Sequence, residues 1–91
     1  METFGLTIIE AMAYGLPTIV PPIGGPKEIV KHEVNGFHHR SDNIKSIANT
    51  LHILFSDQSY YNKISQSAKE KAKEFSQEMF DLSIQRAFRF V

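Results

Sequence analysis

Apolar residues recur at helical spacing near the start of the chain, where Leu6, Ile8, Ile9, Met12 and Ala13 predict a helix from Gly5 to Tyr14. Gly15 follows as its C-terminal cap, and Phe4-Gly5-Leu6 forms the turn from which the helix starts. The period then shortens. Leu16-Pro17-Thr18-Ile19-Val20 is a β-branched run closed by Pro21-Pro22, which predicts a buried strand at Thr18 to Val20, because neither proline can donate to a ladder. Gly24-Gly25 predicts a loop, and Pro26 suits the first turn of a short helix reaching about Lys31. Val34-Asn35-Gly36-Phe37 has the chemistry of a turn leading into a second short strand.

From Ser41 onward the pattern is helical alone. Ser41 or Asp42 can cap a helix whose apolar stripe is Ile44, Ile47, Ala48, Leu51, Leu54 and Phe55. Asp57 can cap a second, with Tyr61, Ile64, Ala68, Ala72 and Phe75 on one face. Ser76 can cap a third, with Phe80, Ile84, Ala87 and Val91 on one side. The resulting order is helix, strand, short helix, strand and then helices, an α/β pattern with a helix-rich C-terminal half and no internal repeat. Two short parallel strands make a poor sheet, and a helix that opens such a fold normally follows a strand. One or more strands preceding Glu2 are therefore expected. The alternative is that Met1 is the true start and the fold closes by association with a second chain.

Composition narrows the class. The chain has 91 residues, 42% hydrophobic and 22% charged, which matches one small globular domain with a thin stability margin. Ten basic residues balance ten acidic ones, so no like-charge field gathers nucleic acid or an anionic membrane. The absence of Cys removes disulfides, thiolate metal sites and thiol nucleophiles. No apolar run approaches a membrane span, and the N-terminus lacks a signal-peptide pattern; the expected location is cytoplasmic.

Candidate chemistry concentrates in the first third. METFGLTIIE sets Glu2 and Glu10 eight apart, and Gly24-Gly25-Pro26-Lys27-Glu28-Ile29 follows closely. Carboxylates bind sugar hydroxyls through charge-assisted hydrogen bonds, and exposed backbone N–H groups suit a diphosphate. Eight residues are close to two helical turns, so both carboxylates can face one groove. ETFGLTIIEAMAYGLPTIV, followed by GGPKEIV and NGF, resembles the C-terminal part of retaining glycosyltransferases of family 4, which have the GT-B fold. The E-x7-E motif of that family lands on Glu2 and Glu10, its Ala-Met-Ala-x-Gly-x-Pro stretch on Ala11 to Pro17, and its Gly-Gly-x-x-Glu-Ile on Gly24 to Ile29. Phe75, Ser76 and Glu78 match its closing Phe-Ser-x-Glu segment.

The resemblance implies that the whole chain, 1–91, is part of the nucleotide-sugar-binding C-terminal domain, the second half of a Rossmann-like unit. Glu10 then binds the nucleotide ribose. Glu2 contacts the donor sugar and supports the developing oxocarbenium charge during transfer with retention, and is the catalytic candidate. Phe4, Gly5, Leu6, Gly24 and Gly25 complete the substrate-binding set. The implied partners are a nucleotide sugar, an acceptor and an N-terminal domain of the parent chain that carries the acceptor site. An Arg and a Lys that hold the diphosphate in the family are expected upstream. No cofactor and no metal are expected. The parent is expected to serve polysaccharide biosynthesis, cytoplasmic or membrane-peripheral, and the isolated chain to be inactive.

Plainer readings stand beside these. Glutamates in a first helical turn commonly complement the helix dipole, and a Gly-Gly pair commonly serves a turn needing positive φ. Glu28 reads as a helix-start residue, and Lys27 has no assigned role. His32, His38, His39 and His52 lack supporting Cys, and neighbouring strand residues point to opposite faces. His38-His39-Arg40 departs from the apolar residue and proline of the family pattern. Tyr60, Tyr61, Phe75, Phe80, Phe88 and Phe90 read as core or interface, and Lys69, Lys71 and Lys73 with Glu70 and Glu74 as a solvated helix face. A different class of function is a non-enzymatic helical interaction module left from a truncated transferase gene. A dimer through exposed apolar surface is a further expectation.

Overall fold

The computed structural model describes residues 3–89, with side-chain surroundings for residues 6–75 and 77. Helix α1 spans Thr3–Ala13, strand β1 Ile19–Val20, helix α2 Gly24–Ile29, strand β2 Phe37–His38, helix α3 Ile44–Ser56 and helix α4 Gln58–Arg89. The expected α/β order is present, with a helix-rich C-terminal half.

The two strands pair in parallel, Ile19 beside Phe37 and Val20 beside His38. The Phe37 N–H donates to the Thr18 carbonyl at 2.8 Å and the His39 N–H to the Val20 carbonyl at 3.0 Å. Successive strand residues face opposite ways, and the core divides accordingly. Val20 packs with Ile8, Ile9 and Met12 of α1, Ile29 and Val30 at the end of α2, and Ala68 and Ala72 of α4. Ile19 packs on the other side with Phe37, Leu54 of α3, and Tyr60, Tyr61 and Ile64 of α4. Helix α4 thus contributes to both clusters and holds the layers together.

Helix α1 ends as the sequence predicts. Gly15 takes φ +75°, its N–H donates to the Met12 carbonyl at 2.9 Å, and the Leu16 N–H reaches the Ala11 carbonyl at 3.1 Å. That pair of bonds is a Schellman motif, and the left-handed backbone explains the glycine.

Five expectations are corrected. Phe4-Gly5-Leu6 lies inside α1 and is helical, not a turn. Gly24 and Gly25 are the first residues of α2 and not a separate loop. The cap of α3 is Asn43, whose Oδ1 accepts from the Ser46 N–H at 3.2 Å, in place of Ser41 or Asp42. The predicted α3 stripe holds only in part: Leu54 is buried and Ile47 half-buried, whereas Ile44 and Phe55 are 74% and 81% exposed, and Thr50, outside the stripe, is buried. The helix docks through Leu54, which packs with Phe37 and Ile64, and through Thr50, whose Oγ1 lies 2.7 Å from His39 Nε2, and this leaves Ile44 and Phe55 toward solvent.

Asp57 both ends α3 and starts α4. Its N–H donates to the Ile53 carbonyl, and its Oδ1 accepts from the Tyr60 N–H at 3.0 Å. No break occurs at Ser76; α4 runs through it as one helix of 32 residues. Residues 58–91 contain neither Gly nor Pro, and a serine inside a helix costs only a few tenths of a kcal/mol, so a capable cap residue alone does not end a helix.

Candidate functional site

Parallel pairing directs the carboxyl ends of β1 and β2 to one edge. There Pro21, Pro22 and Ile23 leave β1 and Arg40, Ser41 and Asp42 follow β2, and the six line an open cleft of about 490 Å³. Ligands of open α/β sheets bind outside the carboxyl ends of the strands, so this edge is the candidate site. Arg40 Nη2 lies 3.0 Å from Asp42 Oδ2, with both side chains exposed. Such a pair contributes little to stability and leaves both groups able to exchange partners.

Gly24 and Gly25 adjoin the cleft, directly after Ile23, and both are exposed. Gly24 has φ +66°, which disfavours any side chain, while a Cβ at Gly25 would meet nothing within 4 Å. The room beside Gly25 leaves its backbone open to a ligand.

Leu6 and Glu10 are one helical turn apart and share an exposed face of α1, opposite Ile8, Ile9 and Met12. Phe4 and Gly5 lie in the first turn of the same helix. Glu2 lies outside the described residues. Of the sequence-predicted residues whose surroundings are described, Leu6, Glu10, Gly24 and Gly25, none lines the cleft itself; Gly24 and Gly25 adjoin it, and Leu6 and Glu10 sit on α1, which packs against α2. The cleft residues Arg40, Ser41 and Asp42 escaped the sequence reading. Their one signal was the departure at His38-His39-Arg40, and the parallel pairing is what brings them beside Pro21 to Ile23.

His32, His38 and His39 are occupied by structural bonds. The His38 N–H donates to His32 Nδ1 at 2.9 Å, and His32 Nε2 lies 3.3 Å from Glu33 Oε1. His38 Nε2 pairs with the Val30 carbonyl. Burial, and then the neighbouring His32, hold the His39 pKa below its ordinary value. Among the described residues no group of three or more His, Cys, Asp or Glu is arranged to hold a metal ion, and no described helix is long and apolar enough to cross a membrane.

Residues 1–71 match the sequence family described as glycosyl transferases group 1. The chain belongs to the group 1 glycosyl transferases. Among curated relatives of this group 1 glycosyl transferase chain, a sucrose synthase from Melioribacter roseus is 38% identical over 77 residues. Sucrose synthase 1 from Hordeum vulgare is 44% identical over 77 residues. Each match covers 80% of the chain and 10% of the relative, so the chain spans about a tenth of their length. Among solved structures, the C-terminal domain of a glycosyl transferase group 1 family protein, LpcC, from Francisella tularensis aligns with a TM-score of 0.70 at 32% identity. That alignment covers 80% of this chain and 37% of the other. The helix-rich α/β fold with its short parallel pair is thus that of a GT-B C-terminal domain.

Proposed function

We propose that the chain supplies the donor-binding part of a retaining family 4 glycosyltransferase, which moves a hexosyl group from a nucleotide sugar to an acceptor. The observation that carries the reading is the group 1 glycosyl transferase match over residues 1–71, which spans every site residue named above. The exposed Glu10 carboxylate accepts hydrogen bonds from the ribose hydroxyls, with Leu6 beside it on the same face. The open backbone at Gly24-Gly25 approaches the diphosphate, and the cleft at the carboxyl edge receives the rest of the donor. Glu2 stabilises the oxocarbenium charge that develops as the sugar leaves, and front-side delivery of the acceptor retains configuration. No metal or other cofactor enters this scheme.

In this reading the acceptor comes from an N-terminal domain of a longer parent, cytoplasmic or membrane-peripheral and engaged in polysaccharide biosynthesis. The 91-residue chain by itself turns nothing over. The family match favours this reading over a helical interaction module. The exposed Ile44 and Phe55 offer the surface for a dimer.

The test is Glu10→Ala in the full-length parent. Losing a charge-assisted hydrogen bond lowers kcat/KM by about tenfold to a hundredfold, because such bonds contribute roughly 1.5–3 kcal/mol. Glu10 is exposed, so the fold survives the change. An unchanged transfer rate would remove Glu10 from the site.

A further inference from the structure

A second cavity, which shares no lining residue with the carboxyl-edge cleft, lies between the turn before β2, α3 and the start of α4. Its volume is about 170 Å³. An apolar cavity of about 150 Å³ takes one benzene ring, so this one has room for a single six-membered ring.

Its walls divide into two kinds. One is aromatic: the half-buried rings of His39 and Tyr60 flank the buried Phe37, His39 nearly parallel to it at 6° with centroids 6.3 Å apart and Tyr60 at 6.4 Å. The rest of the lining is Ile53 and the polar residues His32, Glu33, Ser46, Asn49 and Thr50, with Glu33 Oε1 3.3 Å from His32 Nε2 and Thr50 Oγ1 2.7 Å from His39 Nε2. No Lys or Arg lines the cavity.

Glu33 carries a further mark. It has φ +63°, and it is the non-glycine residue with positive φ among the described residues. A glutamate held there costs about 1–2 kcal/mol that a glycine would avoid, and its carboxylate, 3.3 Å from His32 Nε2, lies at the cavity rim. Backbone outliers of this kind concentrate at binding sites. The Glu33 charge reaches across the cavity: with burial it raises the Tyr60 pKa, and it opposes the lowering of the His39 pKa.

We propose that the cavity bounded by Glu33, Phe37, His39, Asn49 and Tyr60 binds one neutral pyranose unit. Aromatic faces pack the apolar C–H face of a sugar ring, while a carboxylate and an amide pair with its hydroxyls. The absence of Lys and Arg from the walls disfavours a phosphorylated ligand and separates this site chemically from one for a nucleotide sugar. The inference stands independently of the donor-site reading, since it uses none of the same residues.

The test uses the full chain, isotopically labelled for NMR, titrated separately with the methyl glycosides of glucose, galactose, mannose and N-acetylglucosamine, and with inorganic phosphate. At least one glycoside should shift the amides of residues 32–39, 46–53 and 60 saturably, with a midpoint on the order of 1–10 mM. Glu33→Gln keeps the backbone and size of the side chain but removes its charge, and should weaken that binding about tenfold, as should Asn49→Ala on the exposed surface of α3. Three results would each overturn the proposal: no saturable shift from any glycoside up to about 100 mM, affinities unchanged in both variants, or phosphate binding in the cavity more tightly than every glycoside. Far-UV circular dichroism of the variants verifies that they fold.

Discussion

His39 joins the sheet edge to α3 through a hydrogen bond with Thr50, and its ring is held neutral by burial and by His32. Its folded pKa lies below the ordinary value of 6.5, so the unfolded chain binds the proton more readily than the folded one. The stability contributed is therefore complete above about pH 6.5 and is lost as pH falls from there toward the folded pKa. Thermal melts between pH 8 and pH 5 should show the midpoint falling across that window, and His39→Gln should flatten the fall; a variant with the wild-type slope would assign the effect elsewhere. Little of this was legible in the sequence. His38 and His39 could be placed on opposite faces of a strand, but their partners, the Val30 carbonyl and the Thr50 hydroxyl, come from segments eight and eleven residues away. Glu10 was more legible, because helical periodicity alone puts it opposite Ile8, Ile9 and Met12.

Elements ended where local backbone chemistry left no choice and departed from expectation where packing decided. Gly15 closes α1 because a Schellman motif needs a left-handed residue, and that requirement is written in the sequence. Gly36 matters for a different reason. A Cβ there would lie 2.6 Å from Val30 Cγ1 and 2.9 Å from the Thr18 carbonyl, the same carbonyl that accepts the Phe37 N–H. Gly36→Ala must push the turn away from β1 and loosen the parallel pair. Overpacking of this kind costs about 1–3 kcal/mol, readable as a lower urea midpoint with faster amide exchange at Phe37 and His39. Gly25→Ala, where a Cβ meets open space, is the control and should cost well under half as much. The face of α3 was misread in part, because several of its faces carry apolar residues and the contacts at Thr50 and Leu54 select among them. The single α4 was misread because a competent cap residue was taken for a boundary.

Across the whole molecule, a radius of gyration of 15.0 Å exceeds the roughly 12 Å expected for a compact chain of this length. The 53 Å long axis is close to the ~48 Å that 32 helical residues span at 1.5 Å each, so α4 sets the long dimension. Because α4 contributes Ile64 to one core cluster and Ala68 and Ala72 to the other, damage at Ile64, 1% exposed, should disturb both layers. Ile64→Ala should cost about 2–5 kcal/mol, a large part of the ~5–15 kcal/mol available to a domain of this size. Denaturant unfolding followed separately at α1 and α3 should show both transitions moving together; a shift confined to α3 would mean that the layers are independent. The sequence by itself determined the order of elements as far as α3, the end of α1, the turn before β2 and the family, since these rest on periodicity, on glycine and proline backbone limits and on local motifs. Only the tertiary structure decided which face of α3 is buried, that α4 is continuous, and that Arg40 to Asp42 meet Pro21 to Ile23. Those outcomes depend on contacts between segments far apart in the chain, whose energies no local pattern records.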